Sequence, residues 1–113
     1  MTRLIAKFKY ALKGIGWLVS DRSVVWQLVN TLIAFSIAIV FKFTMNEMII
    51  VGIMCTIVVT LEAINTVIEK LLDDFCPQID KRCGNLKDGM AGIVLIASIS
   101  SLIIGIVILI QHF

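Results

Sequence analysis

The chain is 113 residues long, 59% hydrophobic and only 16% charged, with a formal net charge of +2 and a mean hydropathy of +1.02. A soluble domain of this length has too little interior to hide so much apolar surface, so a water-soluble globule is excluded and residues 1–113 read as one membrane-embedded unit. One proline and seven scattered glycines leave no linker and no low-complexity tract, and no nucleic-acid partner is expected.

The first segment, TRLIAKFKYALKGIGWL, interleaves Arg3, Lys7, Lys9 and Lys13 with Leu4, Ile5, Phe8, Leu12, Ile15 and Trp17. That mixture predicts an amphipathic surface helix over residues 2–20, its lysines reaching toward the headgroups and its aromatics at the interface. A signal peptide would need an apolar stretch soon after its basic start and a small-residue cleavage site, and neither is present.

Val24 to Phe41 follows, eighteen residues without a charge, about the minimum needed to cross a ~30 Å hydrocarbon core. A short turn, KFTMNE (Lys42 to Glu47), makes the next helix its antiparallel neighbour. The second apolar run, Met48 to Leu61, is only fourteen residues long. It is too short to span alone, so the second span is placed at 48–68 and carries Glu62 and Asn65 with it. A hydrophilic loop from Cys76 to Asp88 leads to twenty-two uncharged residues, Gly89 to Ile110, the clearest span in the chain. The fold expected is an all-α membrane protein with three transmembrane helices and an N-terminal surface helix.

The three cysteines, Cys55, Cys76 and Cys83, show no CxxC or CxxxC spacing, and are read as free thiols, neither a disulfide framework nor a zinc site. Lysines and arginines number five before the first span, one in the first turn, four between spans two and three, and none after the third. The positive-inside rule then puts the N-terminus and the Lys/Arg-containing loop in the cytosol.

The unusual element is the exit of the second span, TLEAINTVIEKLLDDF. At ~100° per residue, Glu62, Asn65, Glu69 and Asp73 fall at about 0, −60, −20 and +20°, on one face of the helix. A charged side chain at mid-membrane costs roughly 2.5 to 3.5 kcal/mol and marks ion, proton or substrate handling. The plainer readings are an inter-helix hydrogen bond from Glu62 to Asn30 or Thr31, a solvated face for Glu69 and Asp73, and Asp88 as the cap of the third helix. Lys87 and Asp88, at the entry of span three, stand at the same cytosolic boundary as Glu69 and Asp73. A lysine beside carboxylates, with a further carboxylate nearer the hydrocarbon, suits phosphoryl transfer from ATP to a lipid alcohol, since that reaction needs charge neutralisation and alignment. No Walker A loop, Gly-rich kinase loop or H-R-D/D-F-G pair is present. The alternatives are a small proton-coupled transporter working through Glu62 and a structural or pore-forming membrane peptide.

EAINTVIE (62 to 69), Asp73 and KDGMAG (87 to 92), set between hydrophobic spans two and three, resemble the small prokaryotic diacylglycerol kinases, a family that includes the undecaprenol kinases of Gram-positive bacteria. The resemblance covers essentially the whole chain and is most specific in the E-A-x-N-S/T-x-I-E octet and its interval to Lys-Asp. It implies a homotrimer with active sites shared between neighbouring subunits, using MgATP and a membrane lipid alcohol. It also implies Glu62 as the base that activates the lipid hydroxyl and Asn65 as its polar support. Glu69 and Asp21 then become the Mg²⁺ ligands, while Lys87 and Asp88 contact the nucleotide with Asp73 nearby. Arg3 and Tyr10 take N-terminal positions that approach the nucleotide. Three departures stand out: Val25 where the family usually carries arginine, Gln78, Ile79 and Asp80 in place of its frequent E-Y-H, and an aspartate at position 21 that is one methylene shorter than the usual glutamate.

Overall fold

A computed structural model describes residues 1–76 and 80–113. It contains four helices, α1 (Thr2–Val19), α2 (Arg22–Val40), α3 (Met45–Phe75) and α4 (Lys81–His112), and no strand among the described residues. Three of them, α2, α3 and α4, are long and apolar enough to cross a membrane. The protein is an all-helical membrane protein with a further helix at its N-terminus.

Local chemistry explains the ends. Asp21 caps α2 by accepting a hydrogen bond from Ser23 N at 3.1 Å. At the other end of α2, Lys42 adopts a left-handed φ of 55°, and Phe43 N donates to Ala38 O at 2.9 Å, which reverses the chain within a few residues. Thr44 and Glu47 then start α3 with a reciprocal capping box, Glu47 N donating to Thr44 Oγ1 at 3.3 Å and Thr44 N to Glu47 Oε1 at 2.8 Å.

The helices outrun the uncharged stretches that announce them. With 31 residues in α3 and 32 in α4, each is ~46–48 Å long at ~1.5 Å per residue, well beyond a ~30 Å hydrocarbon core. The hydrophilic segment 76–88 is therefore not all loop: residues from Lys81 onward are helical, and α4 begins at Asp80, whose Oδ1 accepts from Arg82 N at 2.8 Å. Asp88 lies inside the helix and does not cap it. Hydropathy reports solubility in lipid, whereas helicity continues wherever caps and propensities allow.

The cysteines also differ from expectation. Cys76, at the end of α3, and Cys83, in the first turns of α4, form a disulfide, and Cys55 alone is free. The chain reversal between two antiparallel helices brings the pair together, a proximity that spacing along the sequence does not express.

Packing is centred on α3, which lies against both α2 and α4, while α1 touches α2. Few apolar side chains are buried: Val24 and Ala38 of α2, Val58 of α3, and Met90, Val94 and Ile108 of α4. Most leucines, isoleucines and valines point outward, as expected where lipid tails solvate apolar groups as well as another helix does. No residue of α1 is buried, consistent with a helix whose apolar face rests on something outside the chain.

Candidate active site

Among the described residues, the buried polar side chains are Glu62, Asn65 and Thr66, at 8%, 7% and 2% exposure. All three lie on α3 within about one turn of each other and are enclosed by the bundle, Thr66 reaching the start of α2. Glu69, on the same face one turn nearer the C-terminus of α3, is exposed. The stripe thus runs from an enclosed carboxylate to an open one.

Asn65 connects them, its Nδ2 donating to Glu69 Oε1 at 3.2 Å, which holds the Glu69 carboxylate over the stripe. Its Oδ1 is buried with no hydrogen-bond partner, an arrangement costly enough to be notable wherever it persists. Thr66 connects the stripe to α2: its hydroxyl lies 3.3 Å from Asp21 Oδ2 and 3.1 Å from Glu62 O. Asp21 is therefore held from two sides through one oxygen, by the Ser23 amide of its own helix start and by Thr66. Glu69 and Asp21 are the electrostatic neighbours of Glu62. The carboxylates at positions 21, 62 and 69 thus share one region, close to where α1 gives way to α2.

Toward the C-terminal end of α3, Lys87 of α4 pairs with Asp73 of α3. Both remain partly exposed, at 38% and 58% of their side-chain surface, so the pair is open to a bound anion. Asp88 is exposed beside Lys87. The structure brings Asp21, Glu62, Asn65 and Glu69 into one cluster and sets Asp73 and Lys87 about one turn above it. Arg3 and Tyr10 are exposed on α1 and make no hydrogen bond or ion pair with that cluster. Asp80 serves as the helix cap, and Gln78 and Ile79 lie outside the described residues. The bond considered from Glu62 to Asn30 or Thr31 does not form, and Thr31 Oγ1 instead donates to Gln27 O of its own helix at 2.9 Å.

Thr66 is the residue that reading the sequence missed. It sits four positions after Glu62, hence on the same face, and its polarity in a buried register was the available signal.

A sequence model of the prokaryotic diacylglycerol kinases matches residues 9–109 of this chain. The chain belongs to the prokaryotic diacylglycerol kinase family. The match spans the second half of α1, both helices that carry the carboxylates, and nearly all of α4. No curated protein and no solved structure matches significantly. Family membership accords with the membrane helices and with a kinase that acts on lipid, and gives no support to a transporter.

Proposed function

We propose that the protein transfers the γ-phosphoryl group of ATP, with Mg²⁺, to the hydroxyl of a membrane lipid alcohol, diacylglycerol or undecaprenol, giving phosphatidate or undecaprenyl phosphate. The observation that carries this reading is the gradient along α3: a buried carboxylate at Glu62 and exposed groups at Glu69, Asp73 and Lys87, all within about three helical turns. A lipid hydroxyl can approach the first while a soluble nucleotide approaches the others.

Glu62 is the general base. Its enclosed position shields it from bulk water, and it takes the proton as the lipid oxygen bonds to the γ-phosphorus and the bond from that phosphorus to the bridging oxygen of ADP breaks. Asn65 holds the Glu69 carboxylate, its Nδ2 donating to Glu69 Oε1. Lys87, held by Asp73, offsets charge on the phosphates, with Asp88, Arg3 and Tyr10 completing the nucleotide side.

The donor set suits magnesium. Asp21 and Glu69 supply hard carboxylate oxygens on adjacent helices, and one oxygen of each is left without a hydrogen bond. An ion held here would take one or two carboxylates together with nucleotide phosphates. When bound, the ion would neutralise phosphate charge and align the γ-phosphoryl group.

The protein works in this reading as a homotrimer in the bacterial inner membrane with its N-terminus in the cytosol. The test is a radiolabelled ATP assay in mixed micelles against a panel of lipid alcohols. Phosphorylated lipid is expected, and its absence across the panel removes the kinase assignment for this chain.

A further inference from the structure

With the N-terminus in the cytosol, as proposed above, the chain crosses the membrane through α2 and α3 before it reaches Cys76. The Cys76–Cys83 disulfide then lies on the cytosolic side, where glutathione and thioredoxin keep thiols reduced. A permanent structural cross-link does not persist there, whereas a reversible one that senses redox state does.

Its position shows what such a bond controls. Cys76 follows Asp73 by three residues on α3, and Cys83 precedes Lys87 by four on α4. On each helix the cysteine and the charged residue therefore share a face, about one turn apart. The disulfide and the Lys87–Asp73 pair are two ties between the same faces of α3 and α4, and they differ in strength. The ion pair is open to water, and such a pair does little by itself to hold two helices together. The covalent bond fixes the ends of the two helices against each other, and with them the place where Lys87 is presented.

Reduction leaves the rest of the bundle standing. The disulfide, the Lys87–Asp73 pair and the distant Glu47–His112 pair all set α4 against α3 in one antiparallel register, so the bond opens and closes without a shift of either helix. It joins residues only 7 positions apart, and closing so short a loop removes little entropy from the unfolded chain. Glu62 lies about 21 Å back along α3 from Cys76, at ~1.5 Å per residue. Both cysteines are partly exposed, within reach of small thiols and disulfides.

We propose that Cys76 and Cys83 form a redox switch that sets the affinity for ATP through the placement of Lys87. This rests on the assignment of Lys87 as a phosphate contact. In the dithiol state the ends of α3 and α4 lose their covalent tie and open more often, so Lys87 meets the phosphates loosely. In oxidation, the thiolate of one cysteine attacks a sulfur of a low-molecular-weight disulfide such as oxidised glutathione and expels one thiolate. The second cysteine then attacks the mixed disulfide, expels the other thiolate and closes the Cys76–Cys83 bond. Two electrons pass to the small disulfide, and the two protons of the cysteines end on the expelled thiols. Oxidation tightens the grip on the nucleotide and reduction relaxes it.

The test uses the full-length protein in mixed micelles, purified without reductant and, in parallel, treated with dithiothreitol. Maleimide labelling under native conditions reports the thiols, and a fluorescent ATP analogue reports binding without turnover. Dithiothreitol should open the bond in the folded protein and oxidised glutathione should close it again. The reduced form should bind the analogue about fivefold more weakly. Its KM for ATP should rise by the same factor, with kcat and the KM for lipid within about twofold, since the surroundings of Glu62 do not move. The double variant Cys76→Ser/Cys83→Ser should match the reduced wild type in both conditions; a redox response that survives in it belongs to Cys55 and counts against the switch. A bond that opens only on denaturation, thiols that oxidised glutathione does not rejoin, equal or absent analogue binding in the two states, or a fall in kcat as large as the rise in KM overturns it. Should neither form phosphorylate any lipid, the kinase assignment fails, and the ratio of binding affinities still decides the switch.

Discussion

The two ends of α3 are built from similar parts and differ in how completely those parts are used. Near its start, Glu47 closes the capping box with Thr44 and pairs with His112 of α4 at 2.9 Å. The His112 ring packs on Phe43 and Phe113, and Phe113 on Phe41. Both members of that pair are largely covered, at 18% and 19% of their side-chain surface. In the other half, a second pair, Lys87 with Asp73, also joins α3 to α4, yet it is open to solvent, and the nearby Asn65 Oδ1 is buried and unsatisfied. Satisfied polar groups staple helices together. Unsatisfied ones, retained at a cost, mark where a ligand completes the set.

That contrast predicts opposite consequences for substitutions at the two ends. The largest effect is expected at Glu62: Glu62→Gln should lower lipid phosphorylation at least about 100-fold while nucleotide binding survives, measured by initial rates and by equilibrium binding of a labelled ATP analogue. Wild-type turnover in that variant would take the base assignment away. Lys87→Met comes next, with a loss of about 100-fold in kcat/KM for ATP. Its stability should fall by less than about 1 kcal/mol, because exposed ion pairs are screened, so a large drop in Tm would make this pair a staple like the other. At the opposite end, Thr44→Ala should cost about 1 kcal/mol of stability through the lost cap and leave kcat/KM within about twofold, since it is remote from the carboxylates; a strong kinetic defect would dissolve the distinction between the ends. The smallest perturbation is chemical: alkylation of the denatured, unreduced protein should label Cys55 alone, and labelling at Cys76 and Cys83 would break the link between α3 and α4.

Much of this contrast was legible before any coordinates. The uncharged runs announced three spans, and the ~100° period put Glu62, Asn65, Glu69 and Asp73 on one face. The reciprocal staple at Glu47 and His112 was not, because the two residues are 65 positions apart and nothing in either segment names the other. The same holds for Thr66 and Asp21, 45 positions apart. Asp80, not Asp88, caps α4, because the helix extends beyond the apolar run into residues that hydropathy marks as loop.

What the amino-acid order alone determined is the partition into oily helices and the angular placement of acids on α3, since both follow from composition and a fixed helical period. Tertiary structure decided which of those acids is enclosed, which is open, and which hydroxyls find partners. Those outcomes depend on the register of three helices against one another, a long-range quantity that hydropathy and periodicity do not contain.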